Sequence, residues 1–323
     1  MAAPNFPNTQ MVVKANDLLK RWWVSIKEDH ELEIRKLLGR LTFLLFVAPD
    51  RYMIMALLKF YDPARLVFRF RDFQLTPTLE KIGGFVNLPH KGRQMIVPHK
   101  QSPKKFLKSL GLKRNWEIDC LDSGWISIEF LYYRFCDKSS HKHFNEKFGS
   151  SARQWQKHRL RSFAIALLGS LVFPMKGGKN STTLGYVVQD LAQREGEPRK
   201  TIVPMILAEI MRSLSACVNG RKFFEGCNLL LQLWAIEHFH IRLDTVDLFL
   251  GYGNKTDNHL RRMVGVNDPM GFVDYQIFLT KLDSYNIQWK LYWLSTLHAT
   301  IRGDERYFIE LIGLKGVQPY DPL

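Results

Sequence analysis

Two sets of side chains in this sequence could do chemistry, and they lie far apart in it. Glu80, Glu237 and His238 are ionisable residues set among apolar neighbours, and in one cleft they would form an acid–base group able to move a proton. Asp244 and Asp247 add a carboxylate pair, although that spacing near an exposed helix start is ordinary. The second set is cationic. Between Lys91 and Arg114 there are eight Lys and Arg residues and no acid; between Lys138 and Arg161 there are seven, against Glu146 alone. These windows hold all but one unit of the formal charge of +15, so the rest of the chain is close to neutral.

A concentrated charge of this sign points to anions. One face carrying Lys100, Lys104, Lys105, Lys108, Lys113, Arg114, Arg153, Lys157, Arg159 and Arg161 would contact phosphates, with Phe106, Trp116, Phe144, Phe148 and Trp155 as stacking surfaces. The plainer reading is a solvated surface whose aromatic residues anchor loops to the core. Ser102-Pro103-Lys104-Lys105 resembles the Ser-Pro-Lys-Lys element of chromatin-protein tails that lie against A·T-rich minor grooves. It equally resembles a proline-directed phosphorylation site at Ser102, where a phosphate would cancel up to about two positive charges and weaken anion binding.

Other chemistries are excluded by spacing. A phosphate loop around Gly177-Gly178-Lys179 needs glycine where Phe173 stands and Ser or Thr where Asn180 stands. Cys120, Cys136, Cys217 and Cys227 include no Cys-x-x-Cys pair and read as reduced core thiols. The pairs His141/His143 and His238/His240 lack a cysteine pair at finger spacing, so no metal site is expected. The longest apolar stretch, Leu41 to Pro49, is too short to span a bilayer, and the first residues lack a basic segment followed by an apolar one; neither membrane nor secretion is expected.

These side chains need elements to hold them, and helical periodicity dominates. Asn16 to Leu38 reads as one or two amphipathic helices closed by Gly39. Pro49 suits the first turn of a helix running to Asp62-Pro63, and Leu66, Phe68 and Phe70 alternate as in a strand or hairpin arm near residues 65–73. Thr76 then caps, and Pro77 opens, a helix with Glu80 near its positive end. Residues 87 to 114 read as an irregular basic excursion. Helices are predicted over Ile126 to Phe135, Trp155 to Phe173, Thr183 to Leu191 with Asn180 or Ser181 as cap, and Ile202 to Leu214; Asp274 to His298 closes the fold. Leu229 to Phe239 is apolar on nearly every side yet holds Gln232 and Glu237, as a buried central helix with polar exceptions would. The fold class is mainly α, as one multi-helix domain over residues 1–323.

Two of these segments also carry a family resemblance. Thr76-Pro-Thr-Leu-Glu-Lys-Ile-Gly-Gly-Phe-Val-Asn-Leu-Pro89 resembles the Thr-Leu-Glu-Asp-Val … Leu-Gly-Leu-Pro signature of the plant mobile domain, also called the aminotransferase-like plant mobile domain, and Leu229 to Phe239 is similar to its Leu-Gln-Leu-Trp-Ala … Glu-His helix. Thr76, Glu80, Gln232, Trp234, Glu237 and His238 are the signature core residues. Phe60-Tyr-Asp-Pro63, Leu171-Val-Phe-Pro174 and the ending Leu314 to Pro322 look like a related plant-specific domain of unknown function carried in retroelement-derived reading frames. Gly83-Gly84 and Asn87 replace part of the usual leucine-rich stretch, so a divergent branch is the better assignment. The resemblance implies a helical protein of transposable-element origin, nuclear more than cytoplasmic. "Aminotransferase-like" is a label only: the sequence shows no α/β alternation to host pyridoxal phosphate, and no cofactor is expected.

Glu237 and His238 fall late in their helix, where the dipole favours histidine and disfavours glutamate, so Glu237 needs a basic partner such as Arg242. A polar network fixing helix register accounts for Glu80, Glu237 and His238 better than catalysis does, because satisfied buried pairs are commoner than catalytic clusters. The leading expectation is a non-catalytic helical scaffold that binds a protein partner, and nucleic acid through its basic face. The alternative is a metal-dependent nuclease or other transferase using carboxylates near that face.

Overall fold

Short polar side chains set most helix starts in this chain. The computed structural model describes residues 9–12, 14–88, 93–112, 121–122, 124–136, 141–142, 145–146, 151–192, 200–239, 271–289, 291 and 309–320. In α1 (Asp17–Leu38) the Asn16 side-chain oxygen accepts from the Leu18 N–H at 2.8 Å. His30, at φ −138°, kinks the helix, and Gly39 ends it at φ +57°. A side chain at Gly39 would overlap the Val86 carbonyl oxygen, so this turn needs glycine twice over.

The apolar run after Gly39 folds as a 3-10 turn, Leu41–Phe46. Asp50 then starts α2 (Arg51–Leu57), its Oδ1 accepting from the N–H groups of Tyr52 and Met53, each at 3.1 Å. Pro49 therefore precedes this helix and is not in its first turn. The chain leaves α2 at Leu57, short of Asp62-Pro63, and pairs β1 (Tyr61–Asp62), β2 (Val67–Arg69) and β3 (Gln74–Leu75) antiparallel, with β2 in the middle and Phe68 fully buried. Thr76 does not cap the next helix either. Its hydroxyl donates to the Leu66 carbonyl at 2.9 Å across this small sheet, and Thr78 caps α3 (Leu79–Val86) by accepting from the Lys81 N–H.

The stretch expected to be irregular is partly ordered. Gln94–Met95 (β4) pairs in parallel with Lys200–Thr201, and α4 (Pro103–Ser109) buries Phe106 and Leu107. Next come β5 (Leu121–Asp122) and β6 (Trp125–Ser127), and then α5 (Ile128–Phe135), which starts later than Ile126 because Ser127 is its cap. Ser151 and Gln154 form a capping box for α6 (Ala152–Leu167), which runs into a single π turn, Leu168–Val172. β7 (Lys179–Ser181) pairs with β6 and leads into α7 (Thr183–Leu191), where the Ser181 hydroxyl accepts from the Thr183 N–H.

After Lys200–Thr201 (β8) come α8 (Val203–Val218), α9 (Asn228–Phe239), α10 (Phe272–Lys281) and the hairpin β9 (Ile309–Ile312) and β10 (Val317–Tyr320). The protein is mainly helical. Helices α1, α5 and α6 pack together around Trp22, whose ring meets Phe163 edge-on at 5.5 Å. Helix α8 packs on α3 and the closing hairpin, and α9 packs on α2 and α3. Trp22, Trp155 and Trp234 are at most 1% exposed, and each large apolar side chain removed from water this fully contributes roughly 1.5–3 kcal/mol. Among the described residues no helix is long and apolar enough to cross a membrane.

Candidate anion-binding cleft

Helix α4 is held from two sides, and that placement builds the cleft. On one side Gly185 of α7 lets Phe106 approach so closely that a Cβ there would stand 2.6 Å from the phenyl ring. On the other, α6 reaches the last turn of α4: His158 Nδ1–H donates to the Ser109 carbonyl at 3.1 Å, and the Arg161 guanidinium donates to the same oxygen at 3.4 Å. A helix C-terminus presents unpaired carbonyls and a partial negative charge, so cationic or N–H donors are the partners it favours. Gly111, at φ +73°, turns the chain away against the His158 ring.

Between α4, α6, α7 and the segment before α4 lies a cleft of about 690 Å³. Lys100, Lys105, Lys108 and Arg161 give it four cationic groups. Among the described residues none of the four forms an ion pair with a carboxylate, and no carboxylate lines the cleft. Arg161 is the telling one. Burial pulls its guanidinium below its usual pKa with no acid to offset the cost, and its Nε is buried without a hydrogen-bond partner. The Gln101 side-chain oxygen at the same wall is also buried and unpartnered. Burial, and then the nearby Arg161 and Lys157 charges, outweigh the Ser109 hydrogen bond and hold His158 below its ordinary value, which favours the neutral ring. Tyr186 and Gln189 of α7 complete the opposite wall, with His99 edge-on to Tyr186 at 4.9 Å. A phosphate would find several charge-assisted donors here, and a base would find an aromatic ring and two amides.

The cationic set expected from sequence divides in the structure. Lys100, Lys105, Lys108 and Arg161 come together; Lys104 is exposed on α4, and Arg153 and Lys157 are exposed on α6 outside the cleft. Arg159 is a correction, because it is fully buried: its Nε donates to the Phe135 carbonyl, and one terminal nitrogen donates to the Ser25 and Cys136 carbonyls and the Ser25 hydroxyl at 2.8–3.2 Å. It joins α5 to α1 and is not available to a ligand. Phe106 and Trp155, at 0% and 1% exposure, are core residues and offer no stacking surface. Lys113, Arg114, Trp116, Phe144 and Phe148 lie outside the described residues. His99, Gln101, Tyr186 and Gln189 carried no sequence signal beyond polar positions on a loop and a helix face.

The signature residues do different work. Gln232 accepts from the buried Asp50 N–H and donates to the Ala48 carbonyl, both at 2.8 Å, and so pins α9 to the turn that starts α2. Asp50 in turn accepts from the Tyr275 hydroxyl at 2.5 Å, which brings in α10. Trp234 stacks on Phe68, and His238 Nδ1–H donates to the Gln288 carbonyl at 2.6 Å while the Gln288 N–H returns a bond to the His238 carbonyl. Glu237 is buried on α9, and Glu80 sits in the first turn of α3; Arg242, Asp244 and Asp247 lie outside the described residues. Cys136, Cys217 and Cys227 are free thiols, and among the described residues no group of three or more His, Cys, Asp or Glu is placed to hold a metal ion.

Fold and cleft together define a mainly helical protein with a pocket of cations that has no acidic partner among the described residues. A family model, Domain of unknown function (DUF7745), matches residues 19–323, and the chain belongs to that family. No curated protein and no solved structure matches it.

Proposed function

We propose that this protein is a non-catalytic helical scaffold that binds nucleic acid through the cleft between α4, α6 and α7. One observation carries the reading: Arg161 is half-buried, without an acidic partner among the described residues, and faces a cleft that three lysines share. Removing a charge from water without pairing it is costly, so a site like this gains most from an anion that arrives later. The phosphodiester backbone is the anion that a row of such cations fits. A protein partner, nuclear residence and a transposable-element origin near the plant mobile domain belong to the same proposal, as does its organisation as one domain. They rest on the sequence motifs around Thr76 and Gln232.

Fluorescence anisotropy with labelled single-stranded and duplex oligonucleotides, at several salt concentrations, tests the nucleic-acid reading. Binding is expected to weaken steeply with salt, each phosphate contact adding about 0.7–0.9 to the logarithmic slope. Arg161→Met is expected to cost about tenfold in affinity while leaving the melting temperature equal or higher, because it removes an uncompensated charge. Salt-insensitive binding, or none at low salt, would refute it. Incubation with Mg²⁺ or Mn²⁺ tests the competing nuclease reading, which predicts cleavage products and, after Glu237→Ala, their loss.

A further inference from the structure

We infer that Ser102 is a phosphorylation site and that its phosphate seats in the same cationic cleft, closing it to nucleic acid; the consequence for binding rests on the function proposed above. Ser102 is exposed, lines the cleft beside Lys105 and Lys108, and has φ −64°, ψ 148° directly before Pro103. That is the extended backbone which proline imposes on its predecessor; Ser102 also caps α4, its Oγ accepting from the Lys105 N–H at 3.4 Å, which leaves the hydroxyl at an exposed helix start. The preceding residues 96–101 belong to no helix or strand. Ser109, the other hydroxyl at the cleft, is a poor substrate by comparison: it lies within α4, and its Oγ donates to the Phe106 carbonyl at 2.6 Å.

The chemistry is a transfer from a nucleoside triphosphate. The Ser102 Oγ attacks the γ-phosphorus, an O–P bond forms, the bond to the β-phosphate oxygen breaks, and the nucleoside diphosphate and the hydroxyl proton leave. The product carries roughly 1.5–2 negative charges on a residue that lines the cleft with four cations that have no carboxylate partner among the described residues. It therefore cancels close to half of their charge and occupies the space a backbone phosphate would take. The position of the serine makes the site self-blocking: the modification delivers, in cis, the group the cleft is suited to bind.

The test uses the full chain with phosphoserine installed at position 102, beside the unmodified protein. ³¹P NMR titration reads the seat directly. Among the cleft cations the phosphate is expected to titrate well below the value of about 6 for a free phosphoserine, and to return toward it in Lys105→Gln/Arg161→Gln protein. A phosphate that titrates near 6 in both proteins would overturn the inference. Anisotropy with the labelled single strand reads the consequence: affinity at about 0.1 M salt falls tenfold or more on phosphorylation, and the salt slope falls by one or more contacts. If phosphorylated and unmodified proteins bind equally tightly, the switch is wrong although the cleft reading survives. If the unmodified protein does not bind at all, the nucleic-acid reading fails while the ³¹P titration still decides the seat. A proline-directed kinase should phosphorylate Ser102 in the wild type and not in Pro103→Ala; equal labelling of the two would also count against the site.

Discussion

Replacing Gln232 separates a structural joint from a catalytic group. Gln232→Leu keeps the volume and deletes both hydrogen bonds that connect α9 to the start of α2. The two losses are unequal. The Asp50 N–H belongs to a residue 5% exposed, so without its acceptor it bears a desolvation penalty of about 1–3 kcal/mol. The Ala48 carbonyl belongs to an exposed residue that water can reach, and its loss is nearer about 1 kcal/mol. Together they amount to about 2–4 kcal/mol, a large share of the roughly 5–15 kcal/mol that holds a typical fold. Urea unfolding followed by tryptophan fluorescence should show the midpoint falling with an unchanged slope, since the unfolded chain exposes the same surface. Gln232→Glu supplies the internal control. It keeps an acceptor for Asp50 but places a carboxylate beside the Ala48 carbonyl, and burial there raises its folded pKa above the unfolded value of about 4.3. Its destabilisation relative to wild type is therefore smallest below pH 4 and grows as pH rises through the folded value. If Gln232→Leu lies within about 0.5 kcal/mol of wild type, the joint described here does not hold the fold.

Gly185→Ala should push α4 off α7, because the new methyl meets Phe106; a stability loss of about 1–3 kcal/mol and weaker oligonucleotide binding are expected together, and either alone would separate packing from the cleft. In the cluster that fastens the closing hairpin, Arg212 bonds Glu209 and Glu225 at 2.8 Å and Lys315 reaches both acids, so Arg212→Met should cost about 3–5 kcal/mol in a denaturation midpoint. Burial alone would raise the Glu225 carboxyl, but Arg212 and Lys315 outweigh it and hold it below its usual value. Its stabilisation is thus complete above the unfolded pKa and lost as pH falls through the folded one, and a stability–pH curve of Glu225→Gln should lack that acid limb. Burial also pushes the Cys217 and Cys227 thiols up to about 12, so native protein at pH 8 should leave both unmodified by a thiol reagent that labels them in urea.

How legible the fold was depended on whether the governing interaction was local. The amphipathic helices and the strand at Phe68 follow from periodicity, because burial by a neighbouring layer imposes the same period whatever that layer is, while the helix around Trp234 follows from being apolar on nearly every side, which marks burial all round. Cap positions were less legible. Thr76 and Thr78 are both able to cap α3, and the choice fell to Thr78 because the Leu66 carbonyl took the Thr76 hydroxyl from across the sheet. Pro49 lost the first turn of α2 to Asp50, whose carboxylate satisfies two N–H groups at once. In each case a contact invisible to a local window decided between two locally acceptable answers.

The cleft shows the same limit in electrostatic form. Arg159 and Arg161 are two residues apart, which on an α-helix is about 200° of rotation, so they leave α6 on opposite sides. Each reaches the C-terminus of a neighbouring short helix, where carbonyls await donors. Arg159 finds carbonyls from Ser25, Phe135 and Cys136 and is spent on the core; Arg161 finds the single Ser109 carbonyl at 3.4 Å and keeps donors to spare. A charge count over the window gives both the same weight, since it records sign and not direction. What separates a structural cation from one able to meet a ligand is how many acceptors its own fold supplies. By that measure Arg161, with Lys105 and Lys108 beside it, is where an incoming phosphate gains the most.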